Sequence, residues 1–489
     1  MFARFLKHSK TMGWQCAALA LAVLSLSSAC ADDTQKSPAP IDSASAVDAT
    51  AGDSSDSANA DVTPTDGLIA DGDAAAGPTE DGTATTDWTD AASAADALPD
   101  AATTATPLQA EGIAVAGSDF KTTTISWLDP LTGAVHPHVL DSGSVVTPAG
   151  AALSGDVVIA QQASANHLIV LIDRSTGVLT WYDAQKGAVV QQLNVATGFY
   201  ANPQDYSPVD AHLAYVPRIG WNLQATTSKG DFDDGDDLLT VDPTANTVTG
   251  RIDLHGQATA AGVLAAPGRI AQGNERLYVP LSNLSADFAS AGPGRLVAIQ
   301  AKTGNIAYVK DIPNAKNCAK AVWLASSARV AVVCEGFFGD GPDQTKFAQL
   351  VTFADDGSDS VQTAASALTL GGSGNAYKGP FGKDLVAIGS NQVAVFVQGN
   401  FDTNTPDALW RIDLSNGQGT LLAKAGAPFG LSGLSAFAKG DKQLLLAAEA
   451  ANVQGDILVF DVHNLQAIQT LPNVKSNPGS LGAVDLGGF

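Results

Sequence analysis

The chain is 489 residues long, 45 % hydrophobic and 16 % charged, with 50 acids against 26 Lys and Arg and a formal charge of -24. That much apolar material is enough for a large core. The charge argues against a nucleic-acid partner, because phosphate binding needs clustered Lys and Arg that this composition lacks.

The first thirty residues, "MFARFLKHSKTMGWQCAALALAVLSLSSAC", open on Arg4, Lys7 and Lys10, run apolar from about Met12 to Leu26 and end in small residues. The apolar stretch is too short to span a bilayer and has the form of a secretory signal over residues 1–29. "SSAC" resembles the lipobox of bacterial lipoproteins, whose cysteine carries lipid, although Ser27 stands where an aliphatic residue is usual; simple cleavage after Ala29 is the alternative. Once Cys16 leaves with the signal, Cys30, Cys318 and Cys334 remain. If the last two pair, Cys30 is an odd thiol in an oxidising compartment unless it is acylated. Lipid at Cys30 would attach the protein to a bacterial envelope membrane, and Ala31 rather than Asp at the next position points to the outer one.

Residues 30–108 read as a tether. Between residues 31 and 107 there are sixteen acids, one lysine (Lys36) and one aromatic (Trp88), set among Ala, Ser, Thr, Gly and Pro. Such a segment buries too little apolar area to offset its chain entropy, so disorder is expected, with a reach on the order of 50 Å.

From residue 109 to 489 the pattern changes to alternating apolar runs joined by tight turns. "RLVAIQ", "AKTG" and "IAYVKDI" make a hairpin, and the same sentence recurs in "ISWLDPLTGAVHPHVLD", "LTWYDAQKGAVVQQLNV", "LLTVDPTANTVTGRIDL" and three later copies. The residues closing the first strand of each pair, Asp129, Asp183, Asp242, Gln300, Asp355, Asp413 and Asp461, fall at intervals of about 48 to 59, a spacing expected of propeller blades. Most copies hold four strands, but the innermost strand of the third is hard to find in "ATGFYANPQDYSPVD". The first copy lacks an innermost strand, while "NPGSLGAVDLGGF" is left over at the end. Placing the surplus in the gap closes a ring and removes exposed sheet edges. The expected fold is therefore an all-β, seven-bladed β-propeller with four-stranded blades; a long sandwich or solenoid would explain the period but not the complementary ends.

Cys318 and Cys334 lie at near-equal distances from a turn at Ser326 and Ser327, which places them across a hairpin. A bridge there would close about fifteen residues and add roughly 3 kcal/mol; two unpaired core thiols are the alternative.

"NERLYVPLSN" followed by "GRLVAIQAKTGNIAYVKDI", with weaker echoes in all seven copies, resembles the YVTN-type β-propeller repeats of bacterial secreted and surface proteins. The resemblance spans 109 to 489. It implies the fold strongly and an activity hardly at all, since propellers host enzymes and pure binding proteins alike.

The long connections join second to third strands, as in "IGWNLQATTSKGDFDDGDD", "SNLSADFASAGPG", "GFFGDGPDQTK" and "GNFDTNTPD", and share a face with the links between blades. Repeat proteins keep insertions on the face they bind with. These segments carry Phe199, Tyr200, Tyr206, Trp221, Phe232, Phe288, Phe337, Phe338, Tyr377, Phe381 and Phe401. The expected partner face is Tyr200, Tyr206, Trp221, Phe232, Phe288, Phe337, Phe338 and Phe401, each ring either anchoring a protein or glycan or tucking under its own loop. The acidic run "DFDDGDD" makes Asp231, Asp233 and Asp236 candidate calcium ligands, but it lacks EF-hand spacing and a closing Glu, so a solvated loop is the favoured reading. No other cofactor is expected.

An enzyme is the competing class, because propeller lactonases and related hydrolases work at the mouth of the central channel. The inner strands here supply mostly Gly, Ala and Ser, with Lys320, Lys383 and Asp384 as exceptions, and the chain has no Gly-x-Ser-x-Gly or His-Glu-x-x-His motif. The expectation is a non-catalytic, monomeric envelope protein. Three or more ionisable side chains converging at one channel mouth would favour the hydrolase, and an aromatic groove on the rim would favour binding.

Overall fold

The computed structural model describes residues 111–144, 150–162, 164, 168–225, 232–367, 370, 379–450, 455–464, 466–471 and 478–485. The signal, the tether, Cys30, Asp231 and Tyr377 lie outside the described residues.

The strands fall into seven sheets of four. Blade 1 begins with β1 (Glu111–Ser118), β2 (Thr123–Leu128) and β3 (Val135–Asp141). Blade 2 is β4 (Val157–Ile159), β5 (Ile169–Asp173), β6 (Val178–Asp183) and β7 (Ala188–Asn194). Blade 3 is β8 (Ser207–Asp210), β9 (Leu213–Trp221), β10 (Gly235–Asp242) and β11 (Thr247–Asp253), and blade 4 is β12 (Ala271–Gly273), β13 (Arg276–Leu281), β14 (Pro293–Gln300) and β15 (Ile306–Lys316). Blade 5 follows with β16 (Cys318–Leu324), β17 (Arg329–Glu335), β18 (Ala348–Ala354) and β19 (Gln362–Ser366). Blade 6 is β20 (Phe381–Gly389), β21 (Gln392–Val397), β22 (Ala408–Asp413) and β23 (Gln418–Lys424); blade 7 is β24 (Leu431–Lys439), β25 (Lys442–Glu449), β26 (Asp456–Asp461) and β27 (Ala467–Leu471). The last strand, β28 (Pro478–Asp485), completes blade 1 by pairing antiparallel with β1, Gly112 opposite Val484 and Ala116 opposite Ser480. The two ends of the domain thus share one sheet, as the surplus segment predicts.

Burial explains the sequence pattern strand by strand. Middle strands are covered on both faces by neighbouring blades, so β5 is buried at every position. Outer strands have one wet face, and β7 alternates accordingly. The apolar material is divided among seven clusters, each between adjacent blades; Ile113, Val115 and Leu128 of blade 1 pack on Phe437, Leu444 and Leu446 of blade 7 across the closure. The elusive inner strand of blade 3 is β8 with an isolated bridge from Pro203 to Arg218. Two prolines, Pro203 and Pro208, and only four strand residues leave no alternation to read.

The recurring aspartates at the end of the third strand have a local job. Asp129, Asp183, Asp242, Asp413 and Asp461 each accept a backbone N–H two or three residues ahead, closing the turn into the fourth strand.

Candidate ligand site at the channel mouth

A cavity of about 150 Å³ is lined by residues of blades 2 to 7. Only the ring axis is common to six blades, so this is the central channel. Arg174 follows the last residue of β5 and Glu335 closes β17, which puts the cavity on the face where second strands end and the long loops leave. Lys383 and Asp384 come from the start of β20, and Arg269 precedes β12.

Backbone contacts hold these side chains in place. Arg269 N–H donates to Ala319 O at 2.8 Å and Ala321 N–H to Arg269 O at 3.1 Å, stitching blade 4 to blade 5. At Gly268 a Cβ would stand 2.2 Å from Ala319 O, so this approach admits only glycine. Asp384 takes Lys320 Nζ on one oxygen and Leu434 N–H at 2.6 Å on the other, linking blades 5, 6 and 7. Asp205 accepts from Gln161 Nε2 at 2.9 Å and Ile270 N–H at 3.0 Å, linking blades 2, 3 and 4.

Sorting the charges by partner separates scaffold from site. Arg174 Nε donates to Asp156 at 2.9 Å, and Lys320 is paired with Asp384. Arg269 reaches Ile159 O with one nitrogen, while its buried Nε has no hydrogen-bond partner. Lys383 is exposed to the channel, and among the described residues no carboxylate stands within ion-pair distance of it. Glu335 accepts a long bond, 3.4 Å, from Asn317 Nδ2.

The titration behaviour follows from this placement. Burial pushes the Glu335 carboxyl up to about 7, against the opposing pull of Lys383. The Arg174 charge first, and dehydration second, draw Lys383 below the usual lysine range. Dehydration works against charge on Asp384, but Lys320 and Arg269 outweigh it and hold that carboxyl below its ordinary value. Of the inner-strand exceptions seen in the sequence, Lys320 and Asp384 are structural partners and Lys383 faces the cavity. Arg174, Arg269 and Glu335 carry no strand-level signal, because each is a single charge at the edge of a strand and only the ring brings them together.

The aromatics divide. Tyr206 is buried edge-on against Trp181, with ring centroids 5.6 Å apart, Phe337 and Phe381 are buried, and Phe232 is half-buried against the core between blades 2 and 3. Phe199 lies under the Arg218 guanidinium at 5.0 Å. These rings pin loops, so Tyr206, Phe232 and Phe337 leave the expected partner face. Tyr200, Trp221, Phe288, Phe338 and Phe401 are exposed. Trp221 meets His255 at 5.2 Å, and Phe401 stacks on Phe429 at 4.7 Å with an interplanar angle of 16°. Phe429, in the link "GAPFG" between blades 6 and 7, escapes a search of long loops. Its backbone sits at φ 56°, and its N–H donates to Asp407, which also accepts from Gly399 and Leu431.

The acidic run is not a solvated loop. Asp237 pairs with buried Arg218, Asp234 pairs with Arg251, and Asp236 accepts Ala265 N–H at 2.9 Å and Ala266 N–H at 2.7 Å from blade 4. Asp236 is therefore committed to backbone, and among the described residues no group of three His, Cys, Asp or Glu could hold a metal ion. Cys318 and Cys334 form a disulfide, with Cα atoms 3.8 Å apart across β16 and β17.

Comparison with known proteins ends at architecture. No family model matches the chain, and no curated protein matches it in sequence. Among solved structures, apo AztD from Citrobacter koseri is 12 % identical with a TM-score of 0.45 over 76 % of this chain and 97 % of its own. The hydrazine synthase of Kuenenia stuttgartiensis is 13 % identical with a TM-score of 0.46, over 71 % of this chain and 93 % of its own. Dihydro-heme d1 dehydrogenase NirN, in complex with DHE, is 13 % identical with a TM-score of 0.41, over 77 % of this chain and 76 % of its own.

Proposed function

We propose that this propeller is a non-catalytic binding protein of a bacterial envelope, tethered through lipid on Cys30, that takes a protein or glycan on its long-loop face. The stacked Phe401–Phe429 pair carries the reading. Both rings are open to solvent, 43 % and 44 % exposed, and Asp407 fixes the backbone beneath them. Preset aromatic faces of this kind stack on sugar rings or anchor a partner side chain at little entropic cost. In the full-length protein, replacing Phe401→Ala together with Phe429→Ala is expected to weaken binding on a glycan array or to a captured partner at least about tenfold, with the unfolding midpoint unchanged. Unaltered binding would remove the rim from consideration. The intact mass of membrane-extracted protein reports acyl chains on Cys30 directly.

A hydrolase at the channel mouth is the second reading, favoured by the ionisable side chains that line the cavity. With Arg174 and Lys320 already paired, Glu335 would serve as general base and Arg269 and Lys383 would stabilise an oxyanion. Turnover of esters or lactones that vanishes in Glu335→Gln would put this reading ahead.

A further inference from the structure

The cavity holds an imbalance that the scaffold does not need. Arg174 and Asp156 satisfy one another, as do Lys320 and Asp384, and Asp205 is consumed by Gln161 and by backbone N–H groups of blades 3 and 4. Two cations remain without a carboxylate partner among the described residues, Arg269 and Lys383, and one of them leaves a buried N–H unsatisfied. Arg269 lines the cavity with a charge that no carboxylate among the described residues balances, and an anionic guest would supply the partner. Beside them stands Glu335, whose side chain has one long bond to Asn317. Glu335 of blade 5 stands between the cations of blades 4 and 6, so the pocket suits a small molecule that carries an anion with a donor close beside it. The volume, about 150 Å³, suits a guest of about six heavy atoms.

We propose that the channel mouth is a recognition pocket for a small hydroxy- or amino-carboxylic acid, its carboxylate gripped by Arg269 and Lys383 and its hydroxyl or amine donating to Glu335. The planar guanidinium suits a carboxylate's two oxygens, and Lys383 adds a mobile point charge from two blades further round the ring. The Arg174 charge that lowers the Lys383 ammonium marks an excess of positive charge beside it, whereas the raised Glu335 carboxyl reflects burial. Gly268 keeps Arg269 against blade 5, so the grip is preset. This inference stands apart from the aromatic rim, which lies on the loops above.

Calorimetric titration of the full-length protein with lactate and L-alanine, beside propionate and the neutral lactamide, tests it. Saturable binding is expected for lactate or alanine and none for lactamide. Lys383→Gln should weaken that binding at least about tenfold and Lys383→Arg should restore most of it, since a charge-assisted bond is lost and regained. Lys383 is exposed and outside the ion pairs of the scaffold, so both variants should keep the wild-type unfolding midpoint. In Glu335→Gln the preference for lactate over propionate should change. Lactamide binding as well as lactate, no saturable binding of either acid, or affinity unmoved by Lys383→Gln would overturn the proposal. The Phe401→Ala and Phe429→Ala variant should bind lactate normally, so failure of the rim and failure of the pocket are read separately.

Discussion

Arg218 and Asp237 meet where neither side chain touches solvent, and the guanidinium uses its full set of donors. Two go to the carboxylate at 2.8 and 2.7 Å; the others go to Val195 O, Thr197 Oγ1 and Phe232 O. The acceptors belong to the link from blade 2, to the long loop of blade 3 and to β10, so one residue fixes the root of the loop that carries the acidic run. Composition cannot reveal this, because "DFDDGDD" shows a density of carboxylates and says nothing of the single arginine waiting on β9. Replacing Asp237→Ala strands a buried guanidinium, which should cost about 3–5 kcal/mol. Urea unfolding measures it, and a loss under about 1 kcal/mol would mean that water reaches the arginine after all. The same logic governs the channel: Lys383 was visible in the sequence as an oddity on an inner strand, whereas its neighbours Arg174 and Glu335 became meaningful only when strands from different blades were placed side by side.

At the scale of elements, β16 must pack between β17 in its own blade and β14 in the blade before. The disulfide ties β16 to β17 and its sulfur faces Gly294 at the start of β14, where a Cβ would lie 2.3 Å from Cys318 Sγ. The hairpin spacing of the two cysteines was legible because it is local. The demand for glycine was not, since it comes from a strand contributed by another blade. Gly294→Ala is therefore expected to destabilise the oxidised protein by about 1–3 kcal/mol through overpacking. Removing the sulfurs with Cys318→Ala and Cys334→Ala should itself cost about 3 kcal/mol, yet should make room for the new methyl. In the triple variant the alanine at 294 is then nearly free, and a double-mutant cycle reads the coupling between the two changes. Strict additivity would show that the crowding is relieved elsewhere.

Across the whole molecule, stability is distributed over seven inter-blade cores, and none of them is complete without its neighbour on either side. Blade count and ring closure could be read from the sequence because each middle strand is buried on both faces and repeats that pattern at every turn of the ring, and because the strand inventory is one short at the start and one over at the end. Blade 3 resisted the same reading where prolines interrupt its inner strand, and the ligand face resisted it because loops lack periodicity altogether. Closure makes the strongest demand on the ring. The backbone of β28 pairs with β1 from Glu111 opposite Asp485 to Gly117 opposite Pro478, so deleting residues 478–489 exposes the ladder groups of β1 along its length. An unpaired edge of that kind invites the strand of another molecule. The truncated protein is expected to lose amide-exchange protection first in Ile113 to Ala116, which the native pairing covers, and to sediment as larger species than the full-length protein. A synthetic peptide of residues 478–489 added in trans should restore both the protection and the sedimentation of the full-length protein, because it supplies the missing ladder without a covalent link. A truncated chain that sediments as the full-length protein does and keeps its β1 amides protected would mean that the seven inter-blade cores suffice, and that the last strand is an ornament on a ring closed by side chains alone.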